Sequence, residues 1–182
     1  MEKVLLTVED VTQGTTGKNP FFLMLREKNG IRKLSVMIGP FEAQSILVIM
    51  RNVQVARPLM VDVYMHSMQT FGIKLREVYI HKVVDGIYYS ALELEQEGVI
   101  NHVDVRTSDG IALALRFGAP IYTSERLLSK EHVFEDGHGG ISIPVSSVGI
   151  EVLQEALTRA IRDENYELAA QLRDEIARRE SH

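Results

Sequence analysis

Cysteine is absent from the 182-residue chain. That excludes disulfides, thiol catalysis and cysteine zinc sites, and it suits a reducing cytosol. No run of about 18 apolar residues occurs, the length that a membrane-crossing helix needs. The opening stretch, MEKVLLTVED, has no long apolar core and meets acidic residues early. No export signal is expected, and a cytoplasmic location is. Positive charge is not in excess: 20 Lys and Arg stand against 25 Asp and Glu, a net charge of -5. The deficit is local, because residues 131–182 carry 5 basic and 11 acidic side chains, whereas residues 1–130 carry 15 and 14. An acidic C-terminal segment is a poor nucleic-acid binder, since phosphate binding relies on cations that displace counterions. Walker loops, dinucleotide fingerprints and nucleophile elbows are missing too. The stretch Gly137-His138-Gly139-Gly140 does not follow a strand in the required way.

Apolar residues make up 45% of the chain, enough for a real core. The length suits one sizeable domain with a smaller appendage. KVLLTVEDVTQ alternates as a strand does, and TGKNP reads as a loop. Two β-rich runs flank Asn29-Gly30, a strong hairpin signal. Pro40 opens an amphipathic helix with Ala43, Ile46, Leu47 and Met50 at helical spacing. RPLMVDVYMHSMQTFG gives a second helix, stopped by Gly72. Residues 73–106 alternate through three runs, divided at Asp85-Gly86 and Glu97-Gly98. TSDGIALALRFG forms a third helix, capped by Thr107 or Ser108. APIYTSERLLSKE is a short strand and a short helix, capped by Thr123 or Ser124.

Residues 131–147 lack periodicity and read as a flexible linker. Residues 148–182 form an antiparallel helical hairpin, with Leu153, Leu157, Ala160 and Ile161 on one apolar face and Tyr166, Ala169, Ala170 and Ile176 on the other. Asp163 is placed to cap its second helix, with Glu164 in the first turn. Two helices this short are marginal alone, so they are expected to bury their apolar faces against each other and against a partner. The whole is an α+β chain: a mixed or antiparallel sheet packed with three or four helices, followed by the hairpin.

Three segments, IGPFEAQSI (Ile38 to Ile46), ARPLMVD (Ala56 to Asp62) and VDVRTSDGIALALRFGAPIY (Val103 to Tyr122), match in order and spacing those of the bifunctional nuclease family. The resemblance covers residues 1–130. It implies a compact α+β fold, homodimerisation and cleavage of DNA and RNA. DENYELAAQLRDEI resembles the UVR motif of excision-repair nuclease subunits and protease adaptors. It implies a protein partner, contacted through Tyr166, Ala169, Ala170, Leu172 and Arg173. Family members often read Arg-Pro-Leu-Thr-His-Asp where this chain has Met60 and Val61 between Leu59 and Asp62, and Thr107 and Gly110 replace the usual Pro and Ala.

The residues carried over from these motifs are Glu42, Arg57, Asp62, Asp104, Arg106, Ser108 and Asp109. A nuclease activates water and stabilises charge on phosphate, commonly with carboxylate-held metal and with Arg or Lys. The resemblance therefore implies Glu42, Asp104 and Asp109 as ligands for Mg²⁺ or Mn²⁺ and as catalytic groups beside Ser108, with Arg57 and Arg106 binding phosphate of a nucleic-acid substrate. Each has a plainer reading. Glu42 and Asp109 suit a helix dipole, Ser108 suits a cap, Arg57 suits a surface turn before Pro58, and Asp62 suits a solvated face. Asp62 and His66 share a helix face, a weak two-ligand pair. Strand alternation puts Asp104 and Arg106 opposite Val103 and Val105. The expected function is a metal-dependent nuclease of low sequence specificity. Its competitor is a non-enzymatic dimeric adaptor acting through the hairpin. Convergence of the charged residues on one concave pocket favours the enzyme.

Overall fold

Asp85 and Gly86 both take positive φ, 49° and 75°. Glu97 and Gly98 repeat the combination at 52° and 82°. Two consecutive positive values define the turn whose twist matches that of paired strands. These two turns fold residues 73–106 into a meander of β4 (Lys74–Val84), β5 (Ile87–Gln96) and β6 (Val99–Arg106), each antiparallel to the next. Asn29-Gly30 lies in the connection between β2 (Phe21–Glu27) and β3 (Lys33–Ile38), which pair antiparallel without the two positive φ values of the other turns.

The computed structural model describes residues 2–14, 20–30, 32–133 and 150–180. Residues 16–19 of the expected TGKNP loop lie outside them. β1 (Lys3–Gln13) pairs with β2 on one side and with β7 (Ile121–Ser124) on the other. β7 runs parallel to β4, and this pairing joins the two antiparallel halves. The result is one seven-stranded mixed sheet in the order β3-β2-β1-β7-β4-β5-β6.

Four helices belong to this domain: α1 (Pro40–Met50), α2 (Met60–Thr70), α3 (Thr107–Phe117) and α4 (Glu125–Glu131). α3 is the hub. It packs on β4, β5 and β6 and touches both α1 and α2. The apolar run Ile111 to Ala114 is buried there with Val78, Ile80 and Leu92 of the sheet and Ile46 of α1. Gly118 ends α3 at φ 66°, a left-handed position where glycine has no Cβ to clash. The Ser124 hydroxyl accepts the Leu127 N–H and caps α4, as one of the two expected residues.

Period-two alternation splits β2 between two cores. Leu23 and Leu25 belong to the helix-covered core. Phe22 and Met24 face the other way and join Val133, Leu153, Ala160, Ala169, Leu172 and Ile176. The last five come from α5 (Ile150–Arg162) and α6 (Tyr166–Glu180), the two helices of the expected hairpin. Asp163 does not cap α6. Asn165 precedes that helix, and Asp163 lies two residues earlier in the turn, where Glu164 takes φ 56°. Most of the linker read at 131–147 lies outside the described residues. Its first residues belong to the domain, because Glu131 closes α4 and the Val133 N–H bonds to the Lys33 carbonyl at 2.8 Å.

Candidate functional site

Pro40 starts α1 with Gly39 as its N-cap, which puts Glu42 in the first turn. There a carboxylate suits the positive end of the helix dipole. The Glu42 side chain folds back over the Gly39 backbone, occupying the place where a Cβ on residue 39 would sit. At the other side of the site β6 runs straight into α3. Val105 turns into the core and meets the Gly110 position, while Arg106 becomes the N-cap residue with φ -61° and ψ 138°.

Neither Thr107 nor Ser108 caps α3, contrary to the sequence reading. Arg106 holds the cap position, with no side-chain cap bond. Thr107 is buried, and its hydroxyl shares a 2.7 Å hydrogen bond with Ser90 of β5. That buried bond binds the start of the helix to the sheet, and it turns the Thr107 oxygen away from the free N–H groups. Ser108 lies in the first turn, half-buried.

Arg106 binds two carboxylates at once. Its Nε donates to Asp109 Oδ2 at 2.7 Å and its Nη1 to Glu42 Oε1 at 3.0 Å. The bond to Asp109, with the charge of Glu42, raises the guanidinium above its ordinary value. The Arg106 side chain is 69% exposed, so solvent screens both contacts. This triad sits at the rim of a cleft of about 440 Å³ between α2, α3 and the end of β6. Asp104 and Ser45 also line the cleft. The Asp104 side chain has no hydrogen-bond or ion-pair partner among the described residues, although its backbone pairs with Ala91 of β5. The remaining wall is apolar, with Val61, Leu92, Val103 and Leu113. Met60 and Tyr64 stand beside it on α2, both well exposed. Within the lining two carboxylates, Asp104 and Asp109, stand against one guanidinium, and Glu42 holds that guanidinium from outside the lining.

The carried-over residues therefore divide. Glu42, Arg106 and Asp109 meet directly, and Asp104 shares their cleft. Arg57 is exposed in the segment between α1 and α2, outside the cleft lining and without a partner among the described residues. Asp62 is not a solvated residue. It is 9% exposed, accepts the Leu59 N–H at 2.8 Å, and lies 2.8 Å from Arg116 Nε of α3. The contact with Arg116 is an ion pair rather than an aligned hydrogen bond. His66, one turn on, is exposed. The cleft's apolar wall escaped the sequence reading, because its residues come from three distant segments and each resembles ordinary core.

Carboxylate oxygens suit hard divalent cations. Among the described residues, however, no group of three or more His, Cys, Asp or Glu is arranged to hold one. Arg106 is the cation that Glu42 and Asp109 already share.

In the hairpin, the expected contact residues also divide. Ala169 and Leu172 are buried in the cluster with Phe22 and Met24 of β2, so they face inward. Helical spacing puts residues 169, 172 and 176 on one stripe, and that stripe is used internally. Tyr166, Ala170 and Arg173 are exposed.

Comparison with known proteins agrees with this architecture. The family model described as bifunctional nuclease domain matches residues 23–136, more than half of the chain. The UvrB/uvrC motif matches residues 150–180, which coincide with the hairpin. A Mycobacterium tuberculosis H37Rv protein named "Uncharacterized protein Rv1829" is 32% identical over 160 residues, covering 88% of this chain and 87% of its own length. "Bifunctional nuclease 1" of Arabidopsis thaliana is 27% identical over 165 residues, covering 79% of this chain and 51% of the plant protein. The chain belongs to the bifunctional nuclease domain family and carries a C-terminal UvrB/UvrC motif.

Proposed function

We propose that the chain is a nuclease of low sequence specificity, hydrolysing phosphodiester bonds of DNA or RNA at the mouth of the α2–α3–β6 cleft. The observation that carries this reading is the Arg106 guanidinium held between Glu42 and Asp109, on the cleft that Asp104 also lines. Family membership supports it, as does the name of the plant relative.

Each residue has a task in this reading. Arg106 exchanges its carboxylates for the phosphate oxygens of the substrate, where a planar guanidinium offers paired donors. Its exposure makes that swing inexpensive. Released Glu42 and Asp109, with Asp104 nearby, would hold Mg²⁺ or Mn²⁺. Such an ion supplies charge neutralisation on phosphate and a more acidic bound water. Asp104 and Asp109 in the cleft, with Glu42 beside Arg106, are also carboxylates able to take the proton of an attacking water. The negative charge of the rim gives the cation its purpose, since phosphate alone would be repelled. We further propose that the chain acts as a homodimer and that the exposed side of the hairpin recruits a protein partner.

Cleavage of single- and double-stranded DNA and RNA by the purified chain, with Mg²⁺, with Mn²⁺ and with chelator, tests the reading. Metal-dependent cleavage that falls sharply in Asp104→Asn/Asp109→Asn supports it. Cleavage unchanged in that variant places the activity elsewhere. If no condition gives cleavage, a dimeric adaptor working through the hairpin replaces the enzyme, and the Arg106 triad is a mutually neutralised surface network.

A further inference from the structure

We infer that the apolar wall of the cleft is a stacking site for a single unpaired nucleobase, so that the chain selects single-stranded nucleic acid. This deepens the proposed nuclease reading and rests on it for the identity of the polymer.

The charge of the cleft narrows the occupant. Its lining carries Asp104 and Asp109 against the single cation Arg106, so a phosphate is not drawn to the interior. Phosphate is served at the mouth, by Arg106. The wall of Val61, Leu92, Val103 and Leu113 beyond it favours an uncharged group with apolar faces. Size narrows it further. A cleft of about 440 Å³ falls in the range that takes one small ligand. A nucleobase is flat, neutral and apolar on both faces, and it is covalently attached to the phosphate that the rim addresses.

Two side chains complete the argument. Met60 is 73% exposed and Tyr64 is 57% exposed, and both line the cleft from one side of α2. Nothing among the described residues covers them, although each leaves a large apolar surface in water. An aromatic ring and a polarisable thioether are suited to the face of a base. A base stacked within a duplex cannot reach such a wall without leaving its neighbours. An unpaired base reaches it without that cost.

The chain contains no tryptophan, so Tyr64→Trp creates a unique fluorophore at the cleft. In the presence of Mg²⁺, the full-length variant is titrated with a fluorescently silent single-stranded pentanucleotide whose linkages are cleavage-resistant phosphorothioates. A second oligonucleotide has the same phosphates with an abasic central position and abasic neighbours. A third sample is the corresponding blunt duplex. Anisotropy with labelled oligonucleotides gives affinities for the unmodified chain and for Tyr64→Ala. The expected result is quenching of the tryptophan by the base-bearing strand, weak or no quenching by the abasic strand, and about tenfold tighter binding of the former. Tyr64→Ala should bring the two strands to the same affinity. Equal binding of the abasic strand, equal quenching by the duplex, or no binding of any strand would overturn the inference. Separate cleavage assays distinguish its failure from that of the nuclease reading. A base-dependent signal without cleavage leaves the stacking site and removes the nuclease. Cleavage indifferent to the missing bases does the reverse.

Discussion

Asp62 on α2 and Arg116 on α3 meet at 2.8 Å, with both side chains largely buried. The same carboxylate accepts the Leu59 N–H at 2.8 Å, so one side chain starts a helix and ties it to its neighbour. Removing it leaves Arg116 with a buried, uncompensated charge as well as an open helix end. Asp62→Ala is expected to cost about 2–4 kcal/mol. Asp62→Asn keeps the acceptor for Leu59 and loses the charge, so it should cost less. Urea midpoints of the two variants, compared at equal m-value, check the order.

Arg32 clamps Glu27 to Glu125 at the start of α4. Its Nε and Nη2 reach Glu27 at 2.9 and 2.8 Å, and its Nη2 also reaches Glu125 at 2.9 Å. Hydrogen bonding to Arg32 lowers the Glu27 carboxyl, and the same contact, with help from Ser129, holds Glu125 down to about 2. A depressed carboxyl contributes stability above its unfolded value, ~4.3, and loses it as pH falls through the folded value. Arg32→Gln should therefore melt below the unmodified chain at pH 7, and the gap should close between about pH 4 and pH 2. Melting curves across that range would refute the clamp if the gap stayed constant.

Gly110 lies where α3 packs against β4, β5 and β6. A Cβ there would sit 3.1 Å from side-chain carbons of both Val78 and Val105. Both neighbours are packed in the core and have little room to move. Gly110→Ala gains helix propensity and meets this crowding, so the opposing effects should nearly cancel. Gly110→Val adds two further carbons and is expected to destabilise by about 2–3 kcal/mol. Thermal melts of the pair separate crowding from propensity.

Within the hairpin, burial predicts opposite behaviour for two residues expected to act alike. Leu172 is 3% exposed and packs in the cluster that includes β2. Leu172→Ala should cost about 2–4 kcal/mol, a loss read by denaturant unfolding. Tyr166 is exposed, so Tyr166→Ala should leave the unfolding midpoint within experimental error of the unmodified chain. If both variants shift stability equally, the assignment of inner and outer faces is wrong.

Arg106 is the residue on which the proposed chemistry turns. Arg106→Gln removes the phosphate donor and also frees Glu42 and Asp109 from their cation. Cleavage is expected to fall by about 10²–10³ in kcat, the loss typical of one charge-stabilising donor. Metal binding without substrate should strengthen in the same variant, because its competitor is gone. Isothermal titration with Mn²⁺ reads that second effect independently of activity.

Local chemistry alone determined much of the molecule. Asp85-Gly86 and Glu97-Gly98 specify hairpins by the backbone angles those residues tolerate, and the β4–β5–β6 meander follows, while Asn29-Gly30 marks the connection of the β2–β3 pair. Pro40 and Gly118 set helix ends for equally local reasons. The three family segments likewise mark Glu42, Asp104, Arg106 and Asp109. What no local pattern carried is the partner of each side chain. Asp62 reads as a solvated residue until Arg116, 54 positions later, is folded against it. Ser108 reads as a cap until β6 runs into α3 without a break and gives the cap position to Arg106. Ala169 and Leu172 read as a partner's contact until Phe22 and Met24 of β2 take that role. The parallel pairing of β7 with β4 brings the two halves of the sheet together, and α3 follows β6 onto its face. Only then do Glu42 and Arg106 come to 3.0 Å across 64 positions of chain. Turn and helix-end preferences act within a few residues and survive in the sequence as spacing. Ion pairs and clefts depend on distances that exist only after the sheet has closed.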